Sequence, residues 1–116
     1  MDYFETYLLV LTIISENHAT DFDGIMRHLP SDQEISYSEI QDVVENLIDD
    51  QMIKGKSTFT KFGNIYLIER VTTTGYKFLQ VARQPEFKQK LIDVIKQEGL
   101  PLTPANAVKF AANLIF

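Results

Sequence analysis

This chain of 116 residues has no cysteine and no tryptophan. The lack of thiols excludes disulfides, thiolate metal sites and cysteine nucleophiles. Its five glycines are too scattered for a phosphate loop or a dinucleotide fingerprint, and no nucleophile-elbow motif is present. Long apolar runs are missing too. The densest, YLLVLTII at residues 7–14, is eight residues long, well short of the roughly 20 that span a bilayer. Asp2 and Glu5 precede it, where a secretory signal carries positive charge, and no A-x-A-like cleavage site follows. The expectation is a core helix in a cytoplasmic protein without a membrane span.

Basic charge is scarce where the chain begins. Residues 1–50 hold twelve acidic side chains and one basic, Arg27, a net of −11. Residues 51–90 reverse this with eight basic residues against Glu69 and Glu86, and residues 91–116 balance. Such segregation points either to a charged partner for one face or to attraction between the two segments inside the fold. With 45% hydrophobic and 23% charged residues, the composition is that of one globular domain with a continuous core.

Phe4, Tyr7, Leu8, Leu11 and Ile14 recur at helical spacing and predict a first helix over 3–16. Leu9, Val10 and Ile13 give it a second apolar face, to be covered by the C-terminal helices or by a second subunit. Thr20 to Asp23 reads as the start of a short second helix that Pro30 ends. Ser36-Tyr37-Ser38-Glu39 is a capping box flanked by the staple residues Ile35 and Ile40. Ile40, Val43, Val44, Leu47 and Ile48 mark one buried face of a third helix. Residues 52–60 and 65–72 are rich in β-branched and aromatic residues and predict a hairpin turning at 61–64. Thr72 or Thr73 can cap a fourth helix in which Gly75 permits close packing and Phe78, Leu79 and Ala82 face inward. A fifth helix carries Phe87, Leu91, Val94 and Ile95 to Gly99. Thr103-Pro104 opens a sixth, with Ala107, Val108, Ala111 and Ile115 inward.

Three helices, a hairpin and three more helices predict a mainly α winged helix: a helix-turn-helix plus wing over 1–84, and a helical extension, 85–116, packed on the same domain. The run Val71-Thr72-Thr73-Thr74-Gly75-Tyr76-Lys77-Phe78-Leu79 resembles the L-T-x-x-G-x-x-F-L signature of small bacterial winged-helix proteins. Over residues 35–116 the chain resembles the uncharacterised DUF2513 and YjcQ-like families of Gram-positive bacteria and their prophages. Val71 replaces the usual leucine, and Gln51 stands where a glycine often ends the third helix. The resemblance implies a winged-helix fold and no catalytic residues.

A groove-reading third helix would carry Arg, Lys, Asn or Gln outward. This one carries Glu39, Gln41, Asp42, Glu45, Asn46, Asp49 and Asp50, which a polyanion repels. The basic residues lie on the hairpin instead. Lys54, Lys56, Lys61 and Arg70 are interleaved with Phe59, Phe62 and Tyr66, a pattern that can follow a phosphate backbone. Against this, Phe59 and Tyr66 read as core or cross-strand partners and the lysines as protection of an edge strand. Phe62, beside Gly63 at the turn, reads as a contact residue. His18, His28, Asp21 and Asp23 match no standard ligand spacing and are better explained by a loop and a helix cap, so no metal or cofactor is expected. The expected function is non-enzymatic: a nucleic-acid-associated regulator of bacterial or prophage origin contacting DNA through Lys54, Lys56, Lys61, Phe62 and Arg70. The alternative is a protein-interaction module that engages a basic partner through Glu39, Asp42, Glu45 and Asp49. A homodimer through the first helix fits either.

Overall fold

The computed structural model describes residues 3–99 and 104–116, with side chains in the last segment from 109 onward. It is mainly helical, with one two-stranded antiparallel sheet. The order is α1 (Tyr3–Asn17), α2 (Phe22–Arg27), α3 (Tyr37–Asp49), β1 (Ile53–Thr60), β2 (Gly63–Val71), α4 (Thr73–Ala82), α5 (Pro85–Gln97) and α6 (Pro104–Ile115). No helix among the described residues is long and apolar enough to cross a membrane.

The core forms around α1, which touches α2, α3, α4, α6 and β2. Phe4, Tyr7, Val10, Leu11, Ile13 and Ile14 are all buried, so both apolar faces of this helix are used within the chain. Part of the expected C-terminal cover comes from α6, while Leu8 and Leu9 stay half-buried. Edge-to-face contacts of Tyr7 and Phe4 on Phe78 join α1 to α4, and Phe4 stacks on Phe87 of α5. Such ring pairs add about 0.5–1.5 kcal/mol each beyond their area. Ala111 of α6 is buried and Ile115 half-buried; the expected cap at Thr103 and the inward positions Ala107 and Val108 lie outside the described residues.

Local signals set most boundaries. The Ser36 hydroxyl accepts from the Glu39 amide, Ile40 is buried, and Ile35 packs half-buried on the core. For α2 the cap is Asp21 and not Thr20: its carboxylate accepts the Gly24 amide at 2.7 Å, while the Thr20 carbonyl accepts the Ile68 amide of β2. That helix stops at Arg27, before Pro30, because the His28 and Leu29 amides turn back onto Ile25 and Met26. The hairpin is tighter than the expected turn at 61–64. Pairing continues to Thr60–Gly63, leaving Lys61 and Phe62 as a two-residue loop with Gly63 at φ +112. A bulge near the root pairs Lys54 with Arg70 and Gly55 with Ile68, so Glu69 is the extra residue.

The hairpin root and the start of α4 meet at one point. The Thr72 hydroxyl donates to the Gln51 carbonyl at 2.6 Å and accepts the Gly75 amide, and the Thr72 amide donates to Met52. A Cβ on Gly75 would stand 2.1 Å from the Met52 carbonyl oxygen and 2.7 Å from a Val71 methyl. Gln51, in the place of a common glycine, lies at φ +61, a left-handed conformation that disfavours side chains.

Two substitutions test this joint by urea denaturation. Gly75→Ala should destabilise by about 3 kcal/mol or more, because backbone rather than a flexible side chain blocks the methyl. Gln51→Gly should stabilise by up to about 1 kcal/mol, since relief of the left-handed strain exceeds the entropy cost of glycine. A neutral Gly75→Ala variant would contradict the packing described.

Candidate functional site

The amphipathic pattern of α3 buries Ile40, Val43, Val44 and Leu47 and turns its carboxylates away from the core. Two of those carboxylates hold neighbouring elements. Glu45 accepts the Tyr66 hydroxyl of β2 at 2.9 Å, and Asp50 accepts the Tyr7 hydroxyl of α1 at 2.8 Å. Asn46 donates to the Tyr3 hydroxyl. Burial, then the hydrogen bond and charge of Glu45, push the Tyr66 hydroxyl up to about 12 from its ordinary 10. Burial and Asp50 push Tyr7 up as well.

The outward side of α3 is one wall of a cleft. Tyr3, Asp42, Glu45, Asn46 and Asp50 face Lys109 and Asn113 of α6 and Phe116 just after it across a space of about 820 Å³. Of the four acidic positions expected to form one face, Asp42 and Glu45 lie in this cleft. Glu39 joins Asp42 in a smaller hollow with Tyr3, Thr6 and Val43. Asp49 lines neither and is exposed.

The hairpin projects the opposite charge. Its register places Lys56 opposite Leu67 and Thr58 opposite Ile65 on one face. Lys54 and Arg70 pair at the root, and Lys61 sits at the tip with its ammonium 5.3 Å from the Phe62 ring centre. Lys54 forms an ion pair with Glu69 at 3.4 Å, an exposed contact of about 1 kcal/mol at most. Lys56, Lys61 and Arg70 have no carboxylate partner among the described residues. The acidic first half pairs elsewhere: Glu16 with Arg83 and Glu5 with Lys88. Attraction within the fold thus accounts for Arg83, just after α4, and Lys88 of α5, while the cations of the hairpin remain exposed.

The hairpin's apolar residues divide. Tyr66 and Ile68 are core residues, and Phe22 packs against Tyr66. Phe59, read as a core or cross-strand partner, is instead 84% exposed, because the register carries it past the edge of the core. Phe62 is 90% exposed, and Ile65 and Leu67 are about half exposed. The sequence reading missed Ile65 and Leu67. In the run Ile65-Tyr66-Leu67-Ile68 every residue is apolar, so alternation cannot say which pair faces inward. Asp21, weighed as a metal ligand, is engaged as the cap of α2.

The raised tyrosines make stability depend on alkaline pH. A neutral hydroxyl favoured by folding contributes fully below the unfolded value near 10, and that contribution is lost as pH rises through about 12. Urea denaturation from about pH 8 upward should show stability falling by up to about 1.4 kcal/mol per pH unit per tyrosine. Tyr66→Phe should cost about 1 kcal/mol at pH 8 and make the alkaline fall shallower. An unchanged alkaline slope in that variant would contradict the Tyr66–Glu45 contact.

No family model and no curated protein matches the chain. Among solved structures, smu.1704 from Streptococcus mutans UA159 is similar in fold, with a TM-score of 0.56 and 16% identity over 88% of this chain and 95% of that one.

Proposed function

We propose that the chain is a winged-helix protein, with α2 and α3 as the helix-turn-helix and the hairpin as the wing, and that it acts by binding and not by catalysis. The reading favoured is a nucleic-acid-associated regulatory protein of bacterial or prophage origin, working in the cytoplasm, with the wing as its contact element. One observation carries it: Lys56, Lys61 and Arg70 are exposed and without a carboxylate partner among the described residues, along a hairpin whose outer end carries the exposed rings of Phe59 and Phe62. A cationic ribbon with aromatic tips suits a phosphate backbone and the edge of a minor groove. The third helix does not, because its outward carboxylates repel phosphate and α6 stands across a cleft from it. A second reading has its own observation: that cleft, with Asp42, Glu45 and Asp50, suits a basic protein segment.

Titration of labelled duplex DNA at several salt concentrations tests the first reading. Affinity should fall steeply with salt, and each of Lys56→Gln, Lys61→Gln and Arg70→Gln should lower the salt slope by about one. Phe62→Ala should weaken binding without changing the slope. Glu69→Gln, which releases Lys54 from its ion pair, should strengthen it. Absence of binding at low salt would remove the nucleic-acid reading and leave the cleft.

A further inference from the structure

The hairpin leaves uncovered Ile65 and Leu67 on the face that also carries Lys56, with Phe62 and Lys61 at its tip, while Phe59 lies on the opposite face. A patch of this kind on a small protein marks an interaction surface. The cleft between α3 and α6 offers the complementary surroundings: apolar walls from Met52, Ala112 and Phe116, with Asp42, Glu45 and Asp50 against Lys109 among the described lining residues, and Lys77 over the Phe116 ring at the rim. Its volume of about 820 Å³ is in the range that accepts buried ligands. We propose that the hairpin tip of one copy docks into the α3–α6 cleft of a second copy. This inference rests on the reading of the cleft as a site for a basic segment, and names that segment.

Three considerations select a second copy. A chain cannot fill its own cleft, because the Tyr66–Glu45 and Ile68–Thr20 hydrogen bonds root its hairpin beside α3 and point the tip away. Pairing of two hairpins through their β1 edges would bring Lys54 and Lys56 of one copy near those of the other, which like charge opposes. Finally, one ring supplies about 150–250 Å² of contact, whereas a stable pair needs about 800 Å² per partner. Reciprocal docking, each copy giving its hairpin and receiving the other's in a closed two-fold pair, doubles the contact that one hairpin supplies. The cations used are those assigned to phosphate, so pairing of copies and nucleic-acid contact exclude one another.

Charge reversal with complementation tests the pairing. Sedimentation equilibrium at low salt should show the mass rising from one chain to two with concentration. Two folded variants, Lys56→Glu/Lys61→Glu on the hairpin and Asp42→Lys/Asn113→Lys on the cleft, should each stay at one chain. Mixed in equal amounts they should pair again, since the acidic hairpin then meets the basic cleft and the basic hairpin the acidic one. Phe62→Ser should weaken pairing in the unaltered background. A mass of one chain at every concentration, or pairing untouched by both reversals, overturns the proposal. Its failure is separable from that of the cleft reading: a labelled lysine-rich peptide that binds the unaltered chain and not the Asp42→Lys/Asn113→Lys variant, with the mass at one chain throughout, keeps the cleft and removes the pairing.

Discussion

The Thr72 hydroxyl and the bare Cα of Gly75 fix where everything charged in this molecule lies. The hydroxyl ties the start of α4 to the carbonyl that follows α3, and Gly75 allows α4 to lie against the Met52 carbonyl with no side chain between. Both ends of the hairpin are thereby clamped to one helix terminus. A hairpin alone is marginal in water. This one stands because its root is clamped and because Tyr66 and Ile68 enter the core beside α3. The outer half is then free to carry residues that do nothing for stability.

Segregation of charge follows from that arrangement. The acidic first half spends Glu5 and Glu16 on ion pairs to α5 and α4, Asp21 on a cap, and Glu45 and Asp50 on buried tyrosine hydroxyls. None of these contacts reaches Lys56, Lys61 or Arg70. Two carboxylates on a supposed reading helix are thus structural acceptors, and the same helix closes one side of a cleft against α6. One molecule presents a positive, aromatic projection and a negative, partly apolar recess. That polarity underlies both the proposed nucleic-acid reading and the proposed pairing of copies.

Elements with strong local signals were legible in the sequence. The Ser36 cap, the hairpin and the Gly75 joint each follow from residues whose backbone or side chain admits few alternatives. The exposure of the candidate site was legible in part: Lys61 and Phe62 could be expected in solvent, because side chains at a tight turn have little to pack against. The inward pair in Ile65-Tyr66-Leu67-Ile68 could not be chosen, because the bulge at Glu69 that sets the phase leaves no mark in composition. Nor could the roles of Glu45 and Asp50, since their tyrosine partners lie 21 and 43 positions away. The signal available was weak: each carboxylate borders the buried stripe of α3, where a polar group needs a partner.

The central claim is that phosphate, if bound, meets the hairpin and not α3. Backbone amide shifts followed by NMR as duplex DNA is added test it most directly. The account predicts perturbations concentrated in residues 54–70, strongest near Lys61 and Phe62, with the amides of Glu39, Asp42 and Asp49 unmoved. Perturbations along α3 with a silent hairpin would contradict it.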